Sequence, residues 1–224
     1  MRKKVSFITA GHSPREDIVD ELEKYLPQEI EIRQRGAMDD LTANEVKTLL
    51  SPLPEEDVMT SRLSDGSMAN FSKKKGMPLL QKAIDKECDA GASLIVILCT
   101  NQFDRLECRV PVIVPFDLLH RMIPVIKGDC KVGALFPFEA FAGRMAKSWE
   151  AYGVQTVYQC AKPAEVQKEQ YVDFFKKEKT DMLILDCIGY TYDCRNYFAE
   201  KLNIPVIHPR SMIVHTIQSL LDVD

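Results

Sequence analysis

Gly91-Ala92-Ser93-Leu94-Ile95-Val96-Ile97-Leu98-Cys99-Thr100 is the stretch on which the fold turns. Leu94 to Leu98 are apolar at every position, on both alternating faces. A strand that is half-covered alternates apolar with polar residues. One that is apolar throughout belongs in the middle of a parallel sheet, with helices over both faces. The residues on either side agree. A helix over about Pro78 to Ala90 ends at Gly91, and Pro111 to Pro115 reads as a further short strand, followed by a helix to Ile126.

Upstream the same alternation of elements is legible. Val5 to Thr9 is a short apolar strand, followed by Gly11-His12-Ser13-Pro14. Ser13 is expected to cap a helix, with Pro14 in its first turn and Glu16 completing a capping box. Ile18, Leu22 and Leu26 then recur at helical spacing. Glu29 to Arg33 alternates as a second strand. Thr42 and Glu45 form another capping box, on a helix that runs through Leu50 and stops before Pro52 and Pro54. Val58 to Leu63 and Met68 to Phe71 flank Asp65-Gly66, a hairpin signal.

After Lys127-Gly128-Asp129 the series starts again. Strands are expected over 131–136, 155–158, 182–185 and 205–207. Helices are expected over 139–152, 164–177, 190–202 and 211–221. Strands alternating with helices of this length mean parallel sheets with crossover connections. The reading is therefore α/β, with two lobes of parallel-rich sheet flanked by helices. Residues 1–127 plus 208–224 are expected to make the first lobe and 128–207 the second.

The restart carries an echo. Thr180-Asp181-Met182-Leu183-Ile184-Leu185-Asp186-Cys187-Ile188 repeats the pattern of the opening stretch: a helix end, a buried strand, then a cysteine. Ligands of open α/β sheets bind just beyond the carboxyl ends of strands, and both Cys99 and Cys187 fall there. Two thiols flanking one cleft could move protons without a cofactor, one thiolate taking a proton from carbon and one thiol returning it. The plain alternative is that each cysteine is a small apolar core residue.

Composition narrows the classes. The chain has 224 residues and a net charge of −4, spread without a basic stripe, which speaks against nucleic acid. Its opening Met1-Arg2-Lys3-Lys4 leads into too short an apolar run for a signal peptide. No run approaches the roughly 20 apolar residues of a membrane span. Seven cysteines, an odd number without C-x-x-C spacing, read as free thiols in a reducing, cytoplasmic setting. His12, His120, His208 and His215 lie far from any cysteine cluster, so no metal site is expected.

Gly11-His12-Ser13-Pro14-Arg15-x-Asp17, Arg62-Leu63-x-Asp65-Gly66, Leu98-Cys99-Thr100, Asp186-Cys187-Ile188-Gly189-Tyr190 and Pro209-Arg210 together resemble the AroM family across nearly the whole chain. That family is similar in turn to the aspartate/glutamate racemase superfamily. The resemblance implies two pseudo-symmetric α/β lobes, a cleft between them, and a cysteine from each lobe. By residue, Cys99, Thr100 and Asn101 are similar to the first racemase cysteine and its substrate-binding neighbours. Cys187 is similar to the second cysteine, and Gly11 and Ser13 lie where racemases bind substrate. The pattern departs after Cys187, where Ile188-Gly189 replaces the usual Thr-His. Asp186 precedes it, a carboxylate that would hold a nearby thiol protonated unless paired.

The remaining candidates come from the residues themselves. Amides opening the helix after Ser13 suit an anion. Arg62 and Arg210 can each pair with a substrate carboxylate through two hydrogen bonds, and Gly189 and Tyr190 follow Cys187 at the start of a helix. Cys99 and Arg105 have the C-x5-R spacing of a phosphatase loop, but Thr100 to Asp104 holds no glycine and Asp104 repels phosphate. The expected function is a cofactor-independent racemase- or isomerase-like enzyme, or a related lyase, acting on a small carboxylate through one or both of Cys99 and Cys187 in the cleft between the lobes. The alternative is a non-catalytic protein on the same scaffold that binds a small anion. A cysteine hydrolase would need a base, for which His12 is the nearest candidate. A homo-oligomer stays open.

Overall fold

The computed structural model describes residues 2–222. The chain divides into two compact units, Met1–Pro115 with Thr216–Asp224, and Phe116–His215. The first begins with β1 (Lys3–Thr9), α1 (Glu16–Glu23), β2 (Ile30–Gly36) and α2 (Ala43–Leu49). It continues with β3 (Val58–Arg62), β4 (Met68–Ser72), α3 (Lys73–Asp89), β5 (Leu94–Ile97) and β6 (Val112–Ile113). Then come α4 (Pro115–Ile126), β7 (Val132–Phe136), α5 (Glu139–Ala151), β8 (Thr156–Cys160) and α6 (Glu169–Lys177). The last elements are β9 (Met182–Leu185), α7 (Tyr192–Leu202), β10 (Val206–Ile207) and α8 (Pro209–Leu221).

Each unit is built on a parallel sheet. The first has the order β2-β1-β5-β6, the second β8-β7-β9-β10. Counted along each sheet, both read second, first, third, fourth. The hairpin β3–β4 is a separate antiparallel pair in the first unit, with Arg62 opposite Met68 and Gly66 at a positive φ of 79° in its turn. The protein is thus mixed α/β, with parallel sheets flanked by helices.

The uniformly apolar strands are central, as their composition requires. All of β5 and all of β9 are buried. Their alternate side chains feed different cores. In the second unit Leu183 and Leu185 pack with Tyr171, Val172 and Phe175 of α6 and Phe198 of α7. Met182 and Ile184 pack instead with Leu119 and Ile123 of α4 and Trp149 of α5. In the first unit Ile95 and Ile97 pack against Leu80, Ala83 and Ile84 of α3.

Several helix starts differ from expectation, each for a local reason. The capping box on α2 forms: Thr42 Oγ1 accepts from the Glu45 amide, and the Glu45 carboxylate accepts from the Thr42 amide. Ser13 does not cap α1. That helix starts at Glu16 with Arg15 at its cap position and no side-chain cap bond, because the Ser13 hydroxyl donates to Asp39 instead. Helix α3 begins well before Pro78, capped by Ser72 Oγ on the Lys75 amide. Pro78 is exposed, so water can take the carbonyl its missing N–H leaves open. The expected helix over 164–177 splits into a 3₁₀ turn at Pro163–Glu165 and then α6.

Candidate functional site

In both units the strand order reverses between the first and third strands, and ligands of open α/β sheets sit at that switch point. In the first unit the relevant loops follow β1 and β5, which are adjacent, with Ile8 opposite Ile97. The ladder runs one step beyond β5, the Leu98 amide donating to Ile8 O at 2.8 Å. The chain then turns sharply. The Cys99 amide donates to Ile97 O at 2.9 Å, and the Asn101 amide points back at Cys99 Sγ, 3.4 Å away.

The second unit repeats this geometry atom for atom. The Asp186 amide donates to Leu135 O at 3.0 Å, and the Cys187 amide to Leu185 O at 2.9 Å. The Gly189 amide then reaches Cys187 Sγ at 3.3 Å. Each half-buried thiol thus lies past the third strand of its sheet with a backbone N–H aimed at sulfur. A donor so placed favours negative charge on that atom.

Asp186 does not share the Cys187 side of the sheet. The Asp186 carboxylate accepts from Trp149 Nε1 at 2.9 Å. Trp149 belongs to the core beneath α4 and α5, whereas Cys187 packs against the core beneath α6 and α7. The carboxylate is buried, with an indole N–H on it, on the face away from the thiol.

The loop after Cys187 is held by its carbonyls. Arg210 Nε donates to Ile188 O at 2.8 Å and Nη2 to Gly189 O at 3.3 Å. His208 Nε2 lies 2.8 Å from Tyr190 O. Three consecutive carbonyls are therefore gripped from the segment where β10 meets α8. Only a protonated Nε2 can donate there, which leaves Nδ1 to accept from the Ser211 hydroxyl at 3.0 Å. Burial pushes the pKa of His208 down to about 4, so the ring is neutral. Tyr190 is fully buried, its hydroxyl donating to Ala161 O at 2.8 Å, and burial pushes that phenol upward. Gly189 has no room for a side chain: a Cβ there would lie 2.9 Å from Pro163 Cγ. Arg210 and Tyr190 thus lie around the loop, while Cys187 and the Gly189 amide lie at its turn.

The loop after β1 is equally occupied. The Ser13 amide and hydroxyl both bond the Asp39 carboxylate, at 2.8 and 2.7 Å, and the Gly36 amide joins them at 2.8 Å. The anion that these amides attract is the protein's own. Gly11 is pressed against the hairpin, where a Cβ would lie 2.4 Å from Arg62 O. His12 is buried, its Nδ1 accepting from the Ser64 amide at 3.0 Å and its Nε2 donating to Leu41 O at 2.8 Å. Both ring nitrogens serve the backbone, so the hydrolase reading with His12 as base falls. Arg62 is half-exposed and lies 3.8 Å from Asp17, which also takes both arms of an Arg15 fork at 2.8 Å.

Arg15 and Asp17 stand in a motif that carries the family resemblance but, like Asp39 and His208, are not among the candidate site residues that the sequence offers. Asp39 lies 26 positions from Ser13, and no local pattern pairs them. His208 stands two places before Arg210, and its bulk of polar atoms beside a strand end was the available signal. Cys160, at the end of β8, is a different kind of thiol: burial and then Glu139 push it up to about 12. Among the described residues no three His, Cys, Asp or Glu side chains gather to hold a metal ion. No helix among them is long and apolar enough to cross a membrane.

A sheet order used twice, with a cysteine past each third strand, defines the class: an α/β protein of the aspartate/glutamate racemase-like fold. Solved structures of that fold match over nearly the full chain. Allantoin racemase from Klebsiella pneumoniae is 14% identical with a TM-score of 0.67, covering 98% of this chain and 88% of that one. Nocardia farcinica maleate cis-trans isomerase, a C194S mutant with a covalently bound succinylcysteine intermediate, is 12% identical with a TM-score of 0.64, covering 99% and 93%. Picrophilus torridus aspartate racemase is 13% identical with a TM-score of 0.56, covering 98% and 94%. No curated protein sequence matches the chain. The family model described as AroM protein matches residues 5–221, and the chain belongs to that family.

Proposed function

We propose that this protein is a cofactor-independent racemase- or isomerase-like enzyme that acts on a small carboxylate through Cys99 and Cys187. The supporting observation is the repeated cysteine turn: the same amide-to-carbonyl bond and the same N–H aimed at sulfur, past the third strand of each sheet. A core cysteine needs neither feature. In this reading one thiolate takes the proton from the carbon next to the carboxylate. The electron pair is held on the carboxylate oxygens, and the other thiol returns a proton to that carbon or its neighbour. Thr100, Asn101 and Gly189 supply backbone and side-chain contacts to substrate, and Arg62 its charge. Gly11, Ser13, Tyr190 and Arg210 act as positioning residues for the loops that carry them. The succinylcysteine held by the Nocardia farcinica isomerase supports cysteine chemistry on this scaffold.

Aspartate and maleate, the carboxylates that the neighbouring structures' names suggest, form the first panel, with allantoin, which lacks a carboxylate, as a comparison. Each is incubated with the protein in deuterium oxide and followed by proton NMR. Solvent deuterium should enter one substrate carbon with the unaltered chain and not with Cys99→Ser or Cys187→Ser. A panel member that raises the melting temperature yet exchanges nothing would favour the anion-binding reading. Failure of both thiols to react with iodoacetamide in the folded protein would remove the acid–base roles.

A further inference from the structure

Three thiols of the first unit pack against the same core as Ile8, Leu80, Ala83, Ile84, Ile95 and Ile97: Cys88, Cys99 and Cys108. Cys99 belongs to the site above. Cys88 lies in the last turn of α3, and Cys108 near the end of the irregular segment 98–111. Their sulfurs are 3.7 Å apart, across 20 positions of sequence.

Bonds on both sides hold this juxtaposition in register. The Gln81 side chain donates to Glu107 O at 2.7 Å and accepts from the Glu107 amide at 3.0 Å. Arg109 then pairs with Asp89 at 2.5 Å. Residues 107, 108 and 109 are therefore fastened in turn to 81, 88 and 89 along one side of α3. Fastening on each flank is what brings two thiols together repeatedly instead of by chance fluctuation.

We propose that Cys88 and Cys108 are a reversible dithiol–disulfide site, which on oxidation locks the segment beginning at Cys99 onto α3. The inference does not depend on the proposed catalytic reading. The oxidant is a peroxide. One thiolate attacks the peroxide O–O bond, its sulfur becoming a sulfenic acid as the first water leaves. The second thiol attacks that sulfur, the S–S bond forms, and the sulfenic oxygen departs as the second water. The two sulfurs lose two electrons in all, and the peroxide gains them. Closure brings the sulfurs from 3.7 Å to about 2.05 Å, a movement the irregular segment can supply while the helix stays in place.

The test uses the full chain and a stoichiometric amount of hydrogen peroxide. The intact mass should fall by about 2 Da, the two hydrogens lost on forming one disulfide. A non-reducing digest should hold one new cross-linked peptide, joining Cys88 to Cys108, and dithiothreitol should reverse it. Cys88→Ser and Cys108→Ser should each abolish that peptide, and either variant suffices if the other fails to fold. The exposed Arg105 lies inside the closed ring, so native-state trypsin cleavage after it should slow several-fold in the oxidised protein. A cross-link to Cys99, a link between chains, or stable oxygen adducts without mass loss would overturn the site. Unchanged cleavage after Arg105 in the cross-linked protein would overturn the locking.

Discussion

Replacing Arg210 with methionine tests whether the Cys187 loop is held from β10 and α8. The substitution keeps an unbranched apolar stem and deletes the guanidinium. The bonds to Ile188 O at 2.8 Å and Gly189 O at 3.3 Å then vanish. Ile188 is buried, so its carbonyl loses a partner without gaining water, which costs about 1–3 kcal/mol. The longer bond to half-buried Gly189 contributes about 1 kcal/mol more. Removing a buried charge recovers part of its desolvation, which leaves a net loss of about 2–3 kcal/mol. With a urea slope of about 2–3 kcal/mol per molar for a chain of this size, the unfolding midpoint should drop by about 1 M. The chain's single tryptophan, Trp149, sits in the core of the same unit, so its emission reports that unit. Arg210→Lys, which keeps the charge but cannot bridge both carbonyls, should fall between the two. A methionine variant whose midpoint stays within about 0.2 M of the unaltered protein would refute the clamp.

Two further outcomes follow from packing and charge. Gly11→Ala sets a Cβ 2.4 Å from Arg62 O and 2.5 Å from Ser61 Oγ, so the hairpin must shift, at about 1–3 kcal/mol of stability; urea denaturation should show this, and a loss below about 0.5 kcal/mol would mean the hairpin moves freely. Burial holds both His120 and His208 neutral, with pKa values pushed down to about 4. An unfolded histidine takes up its proton near about pH 6.5. Between those values the unfolded chain binds more protons than the folded one. Stability should therefore be full above about pH 6.5 and fall as the pH drops toward about 4, by up to about 3 kcal/mol per histidine. His120→Phe, which keeps an aromatic ring stacked between Phe116 and Trp149, should remove roughly half of that pH dependence. Equal stability at pH 7 and pH 5 would count against the assignment.

What was legible in the sequence was local or periodic. Five apolar residues in a row cannot face water on either side, so Leu94 to Leu98 had to lie at the centre of a covered sheet, and β5 is buried throughout. Thr42 and Glu45 are close enough to satisfy each other within one helical turn, so their capping box followed from spacing alone. The separation of Asp186 from Cys187 was not legible there, because both lie past the end of β9 and the partner of the carboxylate, Trp149, lies 37 positions away.

Tertiary structure decided which polar groups remained available, because a hydrogen-bond donor is claimed by whatever the fold brings near it. Ser13 read as a helix cap, but Asp39 reaches its hydroxyl and amide first. His12 read as a base beyond a strand, but Ser64 and Leu41 take both its nitrogens. Arg210 read as a carboxylate receptor, yet it grips the carbonyls of Ile188 and Gly189. By itself the sequence determined that two cysteines stand at the ends of two buried strands, because apolar runs and turn residues set strand limits. Only the folded chain determined that each thiol faces an amide two residues on, since that turn depends on ladders to strands far away in sequence.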